Sequence, residues 1–474
     1  MDGLQKQIAQ ILNAINEPAG LLLVVLLALS GVWFTVRTGG VQFRLIGEAF
    51  RLLFIRDRRD KGTKSISSFE AFNISLASRI GTGNLAGVAT ALAIGGPGAI
   101  FWMWVMALIG GANAFIECTL AQLFKIRGKD SYIGGPAYYI SKGLKKRWFA
   151  CVFAVAIILD FGLTNNMVQS NTISLAFTSA FNIDGWWMSA ILTALTLSVI
   201  FGGVHRIARI SSVVVPFMAL LYFVITIYIF ATRYDMIPQV LGLIFENAFG
   251  FGPALGGGVG MAIIFGFKRG LFSNEAGEGS APNAAATANV AHPVAQGIIQ
   301  ALGVFTDTLL VCSCTAFIIL CSGLYTSGAN GIELTQIALN AEIGNIGSVL
   351  IAILIFFFAF SSIIGNYYYG ECNLYFMSKS RKALTAYRIL LGALVFLGAI
   401  TTLEVVWGLV DIFMFIMTVC NLIAIMLLGK YAVRCLDDYR KQRRAGRRPV
   451  YRSSTIPEIA AETECWDDDI REDC

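Results

Sequence analysis

Apolar residues run through this 474-residue chain in long blocks, and the polar residues gather in the gaps between them. A helix needs about 20 predominantly apolar residues to cross the ~30 Å hydrocarbon core of a bilayer. On that measure the pattern predicts about eleven transmembrane helices, at 18–36, 69–94, 99–124, 148–181, 185–203, 211–231, 240–279, 294–322, 346–376, 384–401 and 405–428. The expected fold class is an all-α polytopic membrane protein. Setting the first helix aside leaves ten, which divide as five and five. Five is odd, so the second set enters the membrane from the opposite side, an inverted repeat. No residue-level repeat links the halves, so this symmetry rests on topology. The expected division is an extra N-terminal helix (1–37), a cytoplasmic loop (38–68), a first five-helix repeat (69–231), a second (232–430) and a cytoplasmic tail (431–474).

Two blocks are interrupted by glycine-rich stretches, 78–87 (SRIGTGNLAG) and 256–260 (GGGVG), one near the start of each half. In lipid every backbone N–H and C=O must find an internal partner, so a helix breaks only where the freed groups serve something. Paired interruptions at matching places point to the central site of a transporter. Two discontinuous helices are therefore expected.

Charge orients the helices. With the connections assigned alternately, all but five of the 36 lysines and arginines fall on one side. Only Lys6 and Arg233 fall on the other, while Arg79, Lys268 and Arg269 lie within predicted helices. The positive-inside rule then puts the N-terminus outside and the C-terminus in the cytoplasm. The net charge of +6 is a topology signal, and no nucleic-acid partner is expected. Residues 1–16 lack the basic start and cleavage site of a signal peptide, so the first helix is expected to be retained. The ten cysteines are dispersed and form no paired C-x-x-C site. His205 and His292 are the only histidines, which removes most histidine-based metal and catalytic schemes.

Connections carry information too. The stretch 324–347 reads as an outer loop whose Ile332, Ile337 and Leu339 suit a short amphipathic helix, a candidate lid. The tail, basic through Arg448 and acidic at 467–469, reads as a solvated end, with Arg440 to Arg448 placed for contact with lipid headgroups.

The first interruption has a direct chemical reading. Gly81, Gly83 and Gly87 permit non-helical backbone. Freed amides near Thr82, Gly83 and Asn84 open the following half-helix, where a carboxylate is favoured. Freed carbonyls near Ala77 and Ile80 close the preceding one, where a small cation is favoured. An amino acid and a cation side by side suit both ends; a glycine-rich packing face is the plainer alternative. Intramembrane ionisable groups are costly, and pairing of Arg79 with Glu275 or Asp307 is the structural role expected of them. Gln169, Asn165 and Asn166, and Ser361 and Ser362 with Asn366, are better site candidates. The two serine hydroxyls are hard oxygen ligands suited to a small hard cation.

The strings GTGNLAGVATALAIGGPGAIFWMW (81–104), FIECTLAQ (115–122), KRGLFSNEAGEGSAPNAAA (268–286) and HPVAQG (292–297) resemble the alanine/glycine:cation symporter family. The likeness extends over nearly the whole chain. It implies a leucine-transporter-type fold of five-plus-five inverted repeats with one extra helix, and sodium-driven uptake of small neutral amino acids. By the resemblance, Thr82 and Gly83 amides meet the substrate carboxylate. The carbonyls of Ala77, Ile80 and Phe358, with Ser361 and Ser362, form the sodium site. Gln169 lies near the substrate, Ser362 faces it, and the second broken helix contributes around Ile263. Where many members carry tryptophan, this chain has Asn366, a smaller amide that admits glutamine beside alanine and glycine. No cofactor and no obligate protein partner are implied; sodium, amino acid and lipid bilayer are the partners.

Other classes remain on the sequence alone. An intramembrane metalloprotease lacks its H-E-x-x-H motif. A passive channel expects a pore-lining helix and a filter ring rather than paired broken helices. A proton-coupled permease, or the permease subunit of an ATP-driven complex, differs from a sodium symporter only in its energy source.

Overall fold

The structure is a computed structural model and describes residues 2–55, 66–128, 131–250, 258–401 and 404–466. It is almost wholly helical, and among the described residues eight helices are long and apolar enough to cross a membrane. In chain order, α1 (Asp2–Arg37) is followed by the short α2 (Ile46–Phe54) and by α3 (Ser68–Arg79). Next come α4 (Val88–Gly95), α5 (Gly98–Leu123), α6 (Pro136–Gly143), α7 (Arg147–Leu159), α8 (Asn165–Phe181), α9 (Gly185–Ile200) and α10 (Gly203–Thr232). The second half has α11 (Ile237–Ala248), α12 (Gly258–Asn274), α13 (Ala281–Ala285), α14 (Pro293–Phe305) and α15 (Ser313–Ser322). It ends with α16 (Gly331–Ile343), α17 (Ile346–Met377), α18 (Arg381–Ile400) and α19 (Glu404–Arg444). A two-stranded ribbon, β1 (Ile126–Arg127) with β2 (Tyr132–Ile133), leads into α6.

Nine of the eleven apolar blocks coincide with single helices or with helices continued through a π-turn. The blocks 69–94 and 240–279 do not. The first stops at Arg79 and resumes at Gly83, and the second divides into α11 and α12, with 251–257 outside the described residues. Each half opens on an interrupted helix, and each carries a short helix, α6 or α16, between its second and third long elements. That order is consistent with a duplicated plan. The core is one continuous packing of α5 against α12 and α14, and of α17 against α8, with α1 laid against α19 and α5.

The first interruption lies where the glycines predict it. Ser67 starts α3 with a capping box, its hydroxyl accepting from the Glu70 amide and the Glu70 carboxylate accepting from the Ser67 amide. The helix stops at Arg79, and the chain resumes through a π-turn at Gly83–Gly87. The expected second interruption at 256–260 falls at the junction between α11, which ends at Ala248, and α12, which begins at Gly258, with Gly256 and Gly257 outside the described residues. A further break, not expected, follows α12 at 275–280, EAGEGS, where Glu275, Gly277 and Gly279 all have positive φ. Only glycine takes that backbone at no steric cost; Glu275 is held there by Ser78 and Ser280, which both donate to its carboxylate.

The tail departs from expectation as well. Residues 445–466 fold back as a strap against the end of α5 and the start of α14. Tyr451 N donates to Ala291 O at 3.0 Å, and the fully buried Trp466 donates its indole N–H to Gln122 O at 3.1 Å. Lys142 pairs with Glu464 at 2.5 Å and Lys145 with Glu462 at 3.0 Å. Burial raises the pKa of the Cys465 thiol against the pull of Lys125 and Arg127, which keeps it protonated. The charged composition suggested a solvated end, but Tyr451, Ile456, Ile459, Cys465 and Trp466 are apolar enough to bury. The acidic run 467–469 lies outside the described residues.

Candidate functional site

The interruption in the first half is built from carbonyls, hydroxyls and amides. Gly81 is required there by close approach: a Cβ on it would collide with Ser362 Oγ and lie 2.9 Å from Gln169 Oε1. This contact draws α17 and α8 against the break. Ser362 Oγ lies 2.9 Å from Ala77 O, 3.1 Å from Ser78 O, 3.4 Å from Ile80 O and 3.1 Å from Phe358 O. Ser361 Oγ lies 2.8 Å from Phe358 O and 3.5 Å from Ala77 O. Each hydroxyl carries one proton, so two protons face four carbonyl oxygens. Oxygens crowded without enough hydrogens repel one another, and a small hard cation relieves that repulsion. Ala77, Ile80, Phe358, Ser361 and Ser362 are thus brought together, all buried.

One turn along, amides dominate. Gly81 N donates to Asn84 Oδ1 at 2.9 Å, and Thr82 N donates to Gln169 Oε1 at 3.1 Å. Gln169 Nε2 donates to Asn165 Oδ1 at 2.9 Å, and Asn366 Nδ2 approaches the same oxygen at 3.3 Å. Ser78 Oγ stands 2.6 Å from both Asn366 Oδ1 and Glu275 Oε1. A single buried chain of polar groups therefore runs from the first interruption through α8 and α17 to the second. Asn84 Nδ2 donates to Asp307 Oδ1 at 2.6 Å, and Ser273 Oγ donates to Asp307 Oδ2 at 2.7 Å.

Thr82, Gly83, Asn84, Gln169, Ser362 and Asn366 all belong to this assembly. Ile263 does not. It sits on α12 ten residues before Ser273, about 15 Å along the helix at 1.5 Å per residue. The part of α12 against Gly83 is its other end: a Cβ on Gly83 would lie 3.1 Å from Ser273 Cα and 3.2 Å from Phe272 Cδ1. Expecting the break at 256–260 moved the site-facing segment two to three turns too early. The FSNEAG string carried the missed signal, since its Phe272, Ser273 and Glu275 are the residues that reach the site. Arg79 also departs from expectation. Its Nη1 donates to Gln300 O at 3.2 Å, and among the described residues no carboxylate lies within ion-pair distance.

The second interruption is closed by fixed side chains. Gly277 N donates to Glu117 Oε1 at 3.1 Å, and Asn421 Nδ2 donates to Gly277 O at 2.9 Å and to Glu117 Oε2 at 2.6 Å. Beside the first, a cavity of about 600 Å³ is lined by Thr90, Asn171, Arg269, Gln336 and Trp407. Its rim is α16, the helix expected in 324–347, whose Thr335 Oγ1 donates to Leu85 O at 3.1 Å. On the opposite rim Arg269 lies 4.8 Å from the Trp407 ring, and Lys268 pairs with Asp411 at 2.6 Å. Among the described residues no group of three His, Cys, Asp or Glu side chains could hold a metal ion.

Comparison with known proteins bears on this arrangement. A family model described as the sodium:alanine symporter family matches residues 4–453. The chain is 48% identical to the "Probable sodium/glutamine symporter GlnT" of Bacillus subtilis (strain 168), over 94% of this chain and 93% of that one. It is 37% identical to "Sodium/alanine symporter AgcS" of Methanococcus maripaludis, over 91% of this chain and 98% of that one. Among solved structures it is similar to MhsT in complex with L-phenylalanine, at 14% identity with a TM-score of 0.57, covering 86% of this chain and 93% of that one. That likeness concerns the fold alone.

Proposed function

From the premise that the chain belongs to the sodium:alanine symporter family, we propose that it imports small neutral amino acids with sodium by alternating access. The supporting observation is the convergence of the Ala77, Ile80 and Phe358 carbonyls on the Ser361 and Ser362 hydroxyls beside the first interruption. Sodium is the ion whose size and hardness suit that set. The substrate carboxylate takes the Thr82 and Gly83 amides, displacing Gln169 from Thr82, so Gln169 acts as the group that yields when substrate arrives. Alanine and glycine fit such a site. Glutamine is included because Asn366 offers an amide one helical turn from Ser362, and a relative carries a glutamine symporter's name.

Uptake of radiolabelled alanine, glycine and glutamine into proteoliposomes tests this, with the sodium gradient present, absent, or replaced by a proton gradient. Sodium-dependent, saturable uptake of all three is expected. Uptake driven equally by a proton gradient alone would remove sodium from the mechanism. The charge asymmetry supports an outside N-terminus and a cytoplasmic strap. An impermeant thiol reagent on intact cells should then reach a cysteine placed at Asn330 and miss one at Lys382; the reverse would invert the topology.

A further inference from the structure

On the face that carries the strap, a cavity of about 430 Å³ opens between α2, the start of α14 and the end of α19. Arg51, Arg443 and Arg447 stand in its wall against one carboxylate, Glu48. That carboxylate is already engaged, by Arg443 at 3.1 Å and by the Tyr439 hydroxyl at 3.0 Å. Among the described residues no carboxylate pairs with Arg51 or Arg447. The cavity therefore has an excess of positive charge and suits an anion.

The neighbouring helix indicates which anion. Along α2, Ile46, Phe50 and Phe54 recur every fourth residue and are 39%, 54% and 72% exposed, while Ala49 and Leu53 face the core. An exposed apolar stripe flanked by basic residues is the pattern of a helix lying in the bilayer interface, its apolar side at the acyl boundary. Arg51 sits on the flank between that stripe and the cavity-lining Glu48 and Leu52. An occupant with a phosphate in the cavity and an apolar chain along the stripe would satisfy both.

We propose that this cavity binds the headgroup of an anionic phospholipid from the leaflet on the strap side, with Arg51 and Arg447 as the phosphate-reading residues. The bound lipid joins three parts of the molecule that meet at the cavity. These are α2, the strap residues around Arg447, and the segment at Val290 to His292 that links the second interrupted helix to α14.

The test titrates the full-length protein, purified in detergent, with short-chain phosphatidylglycerol; short-chain phosphatidylcholine and inorganic phosphate form separate arms. Phosphatidylglycerol should bind saturably, and Arg51→Gln and Arg447→Gln should each weaken it about 5-fold, about 25-fold together, the scale expected per basic residue at an anionic membrane surface. Both arginines are exposed, so the variants should keep the fold, which the melting temperature of each checks. Lys382→Gln, at the start of α18 and outside the cavity, should leave binding unchanged. Three results would overturn the proposal: phosphatidylcholine binding as tightly, inorganic phosphate competing with equal affinity, or Lys382→Gln weakening binding as much as Arg51→Gln.

Discussion

The two interruptions are held by opposite means. At the first, the carbonyls of Ala77, Ser78 and Ile80 around the break, with that of Phe358 from the intact α17, crowd around two serine hydroxyls that cannot satisfy them all. At the second, the freed groups of Gly277 are closed by Glu117 and Asn421, each with a well-formed hydrogen bond. A broken helix in a membrane therefore does not by itself identify a binding site. The distinction lies in whether the freed groups are met by permanent partners or are left short of hydrogens. On this reading the second break is a fixed hub and the first is where ligands exchange.

The largest effect should come from breaking the hub. Glu117→Ala leaves the Gly277 amide and the Asn421 amide without their buried acceptor, at about 1–3 kcal/mol each, or roughly 2–6 kcal/mol in all. Thermal unfolding of the detergent-solubilised protein should shift down markedly, and Glu117→Gln, which keeps one acceptor oxygen, should lose less. An unshifted midpoint would mean that the second break is as open as the first.

The seam between the two is next. Asn366 touches Ser78, which touches Glu275, so a change at this position reports on whether the seam faces the substrate. Asn366→Trp should suppress glutamine uptake while sparing glycine and alanine, with discrimination of about 10–200-fold, as for a steric change in a pocket. Equal losses for glycine and glutamine would take Asn366 out of the side-chain pocket.

The smallest expected effect sharpens the first break alone. Ser362→Ala removes one oxygen while keeping a helix-compatible residue, and about 0.5–1.5 kcal/mol corresponds to a roughly 2–13-fold rise in the sodium concentration for half-maximal uptake. Sodium activation identical to wild type would sink the assignment of this cluster to the ion.

Much of this arrangement was legible in the residues. Block lengths placed the spans, because hydrocarbon thickness sets them. Gly81 and Gly83 marked the first break, because a backbone that approaches a neighbouring side chain needs glycine there. The break at 275–280 was missed for an instructive reason. The run at 256–260 has more glycine, but the chain also bends at 275–280, where two carboxylates, Glu275 and Glu278, fall within the expected span. Paired carboxylates in a span were the additional indicator, since lipid tolerates them only where the backbone or a neighbour needs them. Partners such as Gln169 with Thr82, 87 positions apart, carry no local signature at all. The strap was hidden likewise, since its six buried residues are spread thinly among charged ones.

That strap sets a clock on biogenesis. Gln122 and Trp466, joined by a hydrogen bond, are 344 residues apart. At about 5–20 residues per second, the end of α5 waits roughly 17–70 s after its synthesis before Trp466 exists to cover it. Through that interval Lys125 and the α5 carbonyls are without their cover, so whatever machinery assists insertion must tolerate or shield them. Closure of this face is then among the last events of folding, and a variant lacking Trp466 should leave a molecule that inserts on schedule and never finishes.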